Sequence, residues 1–148
     1  MQLVGGRARA AAIGQDQLPG YANYLKGSDP RQWLTRVPTF AGVRYAEVYE
    51  GIDVAYHGNE GALEYDFIVA PGADPAAIRL AFEGTDRISV DGRGELVIGI
   101  AGGELRQRRS VLYQEIGGRR REVDGGYALA GGESGLSWAP TTTRGPWS

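Results

Sequence analysis

Two carboxylates separated by a single residue stand out in the segment LEYDF at residues 63–67. Side chains alternate between the two faces of a β-strand, so Glu64 and Asp66 are expected on the same face, about 6.6 Å apart. Carboxylates at this separation can act as a pair on a scissile bond, or can supply oxygen ligands to Ca²⁺. The alternative is that both acids are solvated on the outer face of a sheet, where most charged residues lie.

A third acid, Asp53, lies on the strand predicted just before this one. If residues 52–58 and 62–70 form a hairpin, Asp53 approaches Glu64 or Asp66 on the acidic face. Three carboxylates crowded together repel one another unless a cation is bound between them. The pattern therefore predicts a metal site formed by Asp53, Glu64 and Asp66, with Ca²⁺ as the expected ion.

His57 is the single histidine of the chain, so any catalysis that depends on a histidine has to use it. If the chain is an enzyme, we predict a catalytic group of His57, Glu64 and Asp66, with the histidine or a carboxylate as general base. The alternative is that His57 is an ordinary turn residue beside Gly58 and Asn59.

The composition excludes several other kinds of site. The chain has 148 residues and no cysteine, which excludes disulfides, thiolate metal sites and a cysteine nucleophile. Its formal net charge of −2 gives no long-range attraction to nucleic acid or to an anionic membrane, so neither is expected as a partner. No apolar run reaches the roughly 18 residues of a membrane span, and the N-terminus lacks a signal-peptide core. The chain as written is therefore expected in the cytoplasm.

Arginines cluster between residues 106 and 109 and again at 119–121. The glycine pair at residues 117–118 predicts a tight hairpin between them, because a two-residue type I′ turn needs positive φ at both central positions. This hairpin places Arg120 opposite Glu115. We interpret the clusters as cross-strand ion pairs rather than as a nucleic-acid-binding surface.

The element pattern predicts an all-β fold, an antiparallel β-sandwich or open barrel with one or two short helical turns. Alternating segments separated by Gly-rich turns recur about every ten residues. The predicted strands are 43–49, 52–58, 62–70, 78–84, 126–132 and 135–138, with hairpins over 87–100 and 110–123. Helical turns are predicted at SDPRQWL, capped by Ser28 or Asp29, and at ADPAAI, capped by Asp74. We predict one domain over residues 1–138 and a disordered tail at 139–148.

Three longer segments carry a family resemblance: LPGYANYLKGSDPRQWLTRVPTF, VRYAEVYEGIDVAYHGNEGALEYDFIVAPGADPAAIRLAFEG and GGELRQRRSVLYQEIGGRRREV. They resemble the uncharacterised domain that precedes SBBP-type β-propeller repeats in bacterial secreted or surface proteins. The resemblance runs from about Leu18 to Leu129. It implies an extracytoplasmic, non-catalytic β module that binds or packs against those repeats, and it carries over no catalytic residue.

Members of that family continue into a further strand after the segment YAL, so we interpret the chain as a truncated copy, of the kind that environmental DNA yields. The missing strand would leave an open sheet edge, and such an edge would support a homodimer. The truncation and the acidic face together suggest the alternative function. It is a small Ca²⁺-dependent hydrolase that opens lactones or esters such as N-acylhomoserine lactones, as in quorum quenching.

Overall fold

The computed structural model describes residues 1–59, 61–130 and 133–138, and the predicted tail at 139–148 lies outside them. The strands are β1 (Gln2–Leu3), β2 (Ala11–Tyr24), β3 (Leu34–Tyr49), β4 (Ile52–Asn59), β5 (Ala62–Val69), β6 (Arg79–Ala81), β7 (Arg87–Val90), β8 (Leu96–Ile100), β9 (Gly103–Gln107), β10 (Leu112–Ile116), β11 (Arg119–Val123), β12 (Gly125–Ala130) and β13 (Glu133–Trp138). Short 3₁₀ helices span Pro30–Gln32 and Pro75–Ala77. Every strand pair in the described part is antiparallel, so the predicted all-β class with short helical turns is confirmed.

The chain forms two compact units. The first unit is Gly6–Asp74, and the second unit combines Met1–Gly5 with Pro75–Ser148. A single domain over residues 1–138 stays a prediction. Within those bounds the contacts of the structure divide into two compact units. The N-terminal residues join the second unit because β1 pairs with β6.

The second unit contains three sheets, with strand orders β1-β6-β13-β12, β7-β8-β9 and β10-β11. Ile78, Leu80, Leu96 and Ile98 are almost completely buried and form its apolar core residues. The predicted strand at 78–84 is shorter than expected, since only β6 is extended there.

The turn between β7 and β8 is a hairpin built on Asp91, as predicted from its Asp-Gly-Arg-Gly sequence. The Asp91 carboxylate accepts hydrogen bonds from the backbone N–H groups of Arg93, at 2.8 Å, and Glu95, at 3.1 Å. Gly94 adopts a φ of 78°. The Arg106 guanidinium also donates to Asp91, at 2.8 Å. These contacts lower the pKa of Asp91, the backbone hydrogen bond from Arg93 first.

The β10–β11 hairpin turns at the predicted glycine pair, where Gly117 and Gly118 have φ values of 58° and 75°. Arg120 lies opposite Glu115, which confirms the predicted register. The Arg120 guanidinium lies over the ring of Tyr113, 4.5 Å from its centroid, so it makes a cation–π contact.

The first unit is a single sheet with strand order β2-β3-β4-β5. Ile52 and Val54 of β4 are buried, and the pairing of β4 with β3 runs from Tyr49↔Ile52 to Gly42↔His57. In the described residues, the first part of β3 pairs with β2 alone. Residues 17–40 therefore form a two-stranded extension of the sheet, which we call the arm.

Register shifts between β2 and β3 mark two bulges in the arm. At each bulge, a side chain of one strand forms a hydrogen bond with the backbone of the other. At the first, the backbone N–H of Arg36, whose φ is 55°, donates to Asn23 Oδ1 at 2.7 Å. At the second, the Thr39 hydroxyl donates to the carbonyl oxygen of Gly20 at 2.9 Å. Bulges bend a strand and break its alternation, which explains why β2 and the start of β3 are absent from the sequence-based prediction.

The short helix at Pro30–Gln32, which connects β2 to β3, is capped as predicted. Asp29 accepts the backbone N–H of Arg31 at 3.0 Å and also pairs with the Arg31 guanidinium. Pro30 takes the first helical position, where its missing N–H costs nothing. The other predicted helical turn is present at Pro75–Ala77.

Close packing at the β3–β4 turn can be tested with two glycines. Gly51 has a φ of 67°, and a Cβ at this position would lie 2.8 Å from Ala73 Cβ; Gly72 has a φ of 83° with no atom near. We expect Gly72→Ala to lower the free energy of unfolding by about 1–2 kcal/mol through backbone strain. Gly51→Ala is expected to cost at least about 1 kcal/mol more, because Ala73 has to move. Urea denaturation measures both, and equal losses would contradict this packing.

Candidate functional site

The predicted catalytic residues lie together on one face of the first unit's sheet. In the β4–β5 register, His57 is opposite Glu64 and Ala55 is opposite Asp66, so the alternation predicted for residues 62–70 is confirmed. His57 Nε2 lies 3.5 Å from Glu64 Oε2, and His57 Nδ1 lies 3.8 Å from Asp66 Oδ2. The imidazole thus sits between two carboxylates, all three side chains being partly exposed.

Each partner of His57 is held differently. Glu64 Oε1 also accepts a hydrogen bond from the Asn59 side chain at 3.0 Å, which anchors it beside the turn. Asp66 is 62% exposed at its side chain. Each ring nitrogen of His57 therefore faces an acid, at a separation longer than an ordinary hydrogen bond. For His57 to accept a proton from a substrate or water, one of these contacts has to open.

The opposite face of the same strands is aromatic. The ring of Tyr56 lies 6.0 Å from Tyr45 and 5.9 Å from Tyr65, and Tyr65 lies 5.8 Å from Phe67, centroid to centroid. Burial, followed by the neighbouring Tyr45, raises the pKa of the Tyr56 hydroxyl. The Tyr45–Tyr56 and Tyr65–Phe67 contacts are edge-to-face, and such contacts stabilise the sheet beyond the area that they bury.

A shallow depression of about 460 Å³ lies beside this aromatic row. Its lining includes Phe40, Tyr56, His57 and Leu63. Phe40 packs so closely over Gly14 that a Cβ there would lie 2.6 Å from the ring. The depression is mainly apolar, and His57 is among the residues that line it.

Asp53, the third predicted metal ligand, is bound to residues of β3 and is not grouped with Glu64 and Asp66 as a metal site in the described residues. It lies opposite Ile68 in the β4–β5 register and is 9% exposed. Its carboxylate accepts a hydrogen bond from the backbone N–H of Glu47 at 2.6 Å and from Arg44 Nε at 2.8 Å, and a second guanidinium nitrogen of Arg44 contacts the same oxygen.

This carboxylate closes a bulge in β3. Between Tyr45 and Tyr49 the β3–β4 register shifts, and Glu47 adopts a φ of 49°, which turns its N–H toward Asp53. The hydrogen bond from Glu47 is the main cause that lowers the pKa of Asp53; Arg44 also lowers it, and burial opposes both. Asp53 therefore has a structural role in this arrangement.

Arg44 and Glu47 were not singled out from the sequence. A signal for the first was available, because an acid flanked by apolar residues in a strand needs a partner, and Arg44 is a cation on the preceding strand. No alternation pattern indicates the second, since the bulge itself creates the contact with Glu47.

The metal set is not gathered in the described residues. Across 1–59, 61–130 and 133–138, no group of three or more His, Asp or Glu side chains is arranged to hold a metal ion. Glu64 and Asp66 share a face with His57, while Asp53 is bound to Arg44. Binding of Ca²⁺ stays a prediction.

Replacement of Asp53 tests its structural role. We expect Asp53→Asn to lower the free energy of unfolding by about 1.5–3 kcal/mol at neutral pH, because it weakens charge-assisted hydrogen bonds. The matched change Asp66→Asn, at an exposed position, should alter it by less than about 0.5 kcal/mol. Because the pKa of Asp53 is lower in the folded state than in the unfolded state, its ionised form stabilises the fold at pH values above the unfolded-state pKa. The difference in unfolding free energy between wild type and Asp53→Asn should therefore narrow as the pH falls below about 4. Urea titrations at several pH values measure this gap, and a constant gap would contradict the role.

Comparison with known proteins places the chain in a family. The described residues contain no helix of the length and apolarity that crossing a membrane requires. Neither a curated protein nor a solved structure matches the chain significantly. A family model described as Domain of unknown function (DUF7948) matches residues 1–144, which include the whole stretch from Leu18 to Leu129. The chain therefore belongs to the family described as Domain of unknown function (DUF7948).

Proposed function

We propose that the chain is a non-catalytic binding module that docks on a partner protein through the arm. The observation that supports this role best is the exposure of large apolar side chains on a two-stranded extension. An isolated pair of strands is only marginally stable in water, and soluble monomers rarely keep large apolar patches uncovered. A partner that covers the arm would relieve both problems.

The exposed side chains lie near the tip of the arm. Tyr24, Leu25 and Leu34 are 59%, 60% and 63% exposed, and Tyr24 lies opposite Leu34 in the register. Tyr21 is exposed as well, and the Arg36 guanidinium lies 4.9 Å from its ring centroid. Aromatic residues with an adjacent arginine are enriched at the energetic centres of protein interfaces.

Charge indicates the chemistry of the partner. The arm contains Lys26, Arg31 and Arg36 against a single acid, Asp29, and so carries a net charge of +2 in a chain whose net charge is −2. A complementary partner surface would be apolar with acidic groups around it. We propose that the parent protein is a bacterial secreted or surface protein, and that the partner is its β-propeller repeats, as the family resemblance implies.

Truncation of the arm's apolar side chains tests this proposal. We expect the double variant Tyr24→Ser/Leu34→Ser to bind a recombinant SBBP-type repeat domain at least tenfold more weakly than wild type in calorimetry. Loss of two exposed anchors at an interface typically costs more than about 1 kcal/mol each. The control is Leu105→Ser, which replaces another exposed leucine in the second unit. No binding by wild type, or equal weakening by the control, would count against docking through the arm.

A second candidate function is hydrolysis of a lactone or ester, which the contacts of His57 with Glu64 and Asp66 favour. In this scheme His57 takes a proton from water as the water oxygen adds to the lactone carbonyl. The ring C–O bond then breaks and the leaving alkoxide takes the proton. Ca²⁺, if held by Glu64 and Asp66, would supply polarisation of the carbonyl.

An assay of ring opening separates the two functions. The binding role predicts that an N-acylhomoserine lactone opens at the uncatalysed rate with wild type, His57→Gln and Asp66→Asn, with or without EDTA. A rate above background that falls at least tenfold with EDTA and in both variants would replace the binding role by the hydrolase. Product formation is measured by chromatography, with boiled protein as the blank.

A further inference from the structure

The first unit's sheet has two edges, and they differ in their protection. At one edge, β2 contains Pro19 and the bulges of the arm, features that discourage another strand from pairing. At the other edge, β5 pairs with β4 through eight successive residues, from Ile52↔Val69 to Asn59↔Ala62, without a register shift. Within the described residues β4 is the one strand paired with β5.

Apart from the charges of Glu64 and Asp66, the β5 edge lacks the features that usually block edge-to-edge pairing. Its sequence, ALEYDFIV, contains no proline, lysine or glycine, and its residues follow a regular alternation. Leu63 at its start is 74% exposed, and Ile68 near its end is also exposed. A regular, exposed strand of eight residues is long enough to direct the docking of an added strand.

The two faces of β5 specify different chemistry for such a strand. Glu64 and Asp66 project from one face, and Leu63, Tyr65 and Phe67 project from the other. A strand added along this edge would place its own alternate residues beside the acids and the remainder beside the apolar row. Basic side chains would interact most favourably with the two carboxylates at the positions beside them.

A second copy of β5 is a poor occupant of this edge. Symmetric antiparallel pairing that keeps the sheet faces aligned brings the acids of both copies beside each other, and like charges at such positions are destabilising. A shift by one residue avoids this, but it places Glu64 and Asp66 against the apolar row of the other copy. The acids therefore disfavour self-association at the same edge that they make attractive to a basic strand.

We infer that the β5 edge accepts an extended segment of another polypeptide in which Lys or Arg alternates with apolar residues. This inference deepens the proposed binding role and rests on it, while using a surface separate from the arm. The backbone of β5 supplies the hydrogen bonds, and Glu64 with Asp66 selects the basic residues. In this state His57 stays beside the acids as part of the same face.

Three synthetic octapeptides with capped ends test the inference. The first alternates Arg and Val, the second alternates Glu and Val, and the third has four Arg followed by four Val. We expect the first to bind wild type at least tenfold more tightly than either of the others in fluorescence anisotropy at physiological salt. Hydrogen exchange should slow in the backbone amides of residues 62–69, where the added strand pairs.

Two double variants separate site recognition from general charge attraction. Glu64→Gln/Asp66→Asn should reduce the preference for the Arg–Val peptide over the Glu–Val peptide to less than threefold. Asp16→Asn/Glu115→Gln changes the net charge equally at exposed positions outside β4 and β5 and should keep the preference. Equal effects of the two variants, or equal binding of the block and alternating Arg peptides, would overturn the inference.

Failure of this inference is distinguishable from failure of docking through the arm. The variant Tyr24→Ser/Leu34→Ser should bind the Arg–Val peptide like wild type. Docking through the arm without any protection of residues 62–69 by the peptide would overturn the β5 inference alone. A dimer in sedimentation whose slowed amides map to residues 62–69 would overturn the argument that the acids prevent self-pairing.

Discussion

One buried carboxylate holds the bulge in β3 against β4. Asp53 lies in a strand of buried apolar residues, where an unpaired charge would be strongly destabilising. Its oxygens accept hydrogen bonds from the Glu47 N–H, inside the β3 bulge, and from the Arg44 guanidinium, just before it, and these bonds compensate the charge. The bulge and the acid depend on each other: without the bulge the Glu47 N–H would not face Asp53, and without the acid that N–H would lose its acceptor.

The same solution recurs wherever the sheet departs from regular pairing. Asn23 accepts the N–H that a bulge turns away from the ladder, and Thr39 donates to a carbonyl oxygen at the next irregularity. Polar side chains thus replace the ladder hydrogen bonds that each bulge removes. Long strands with local bends are the result, and the arm extends beyond the four-stranded part of the sheet because its own side chains satisfy its backbone.

Much of the fold could be predicted wherever a regular alternation of side chains, or a turn or cap residue, determines the local structure. The alternation of residues 62–70, the glycine pair at 117–118 and the Asp29 cap all appear where local chemistry indicated them. Strand β2 could not be found in this way, because its pattern is interrupted by Pro19 and by the bulges. Strand β9 is absent from the sequence-based prediction for another reason: its five residues, GELRQ, contain a single large apolar side chain and so show no alternation.

The candidate site was partly predictable for similar reasons. Period-two geometry and a tight connection were enough to bring His57, Glu64 and Asp66 to one face. The same reasoning placed Asp53 on that face correctly, but strand position does not decide which partner a buried acid takes. That choice depended on Arg44 and on a bulge, and a bulge has no simple signature in the spacing of residues.

The pairing of β1 with β6 has a consequence for synthesis of the chain. Gln2 of β1 lies opposite Ala81 of β6. Strand β1 can therefore pair only after a strand almost eighty residues further along the chain has left the ribosome. The whole of the first unit, Gly6–Asp74, lies between β1 and β6 in the chain and is synthesised during that interval. The second unit begins first in the chain, but its β1–β6 pairing can form only after the first unit has been synthesised. This pairing is therefore a late, long-range step of folding.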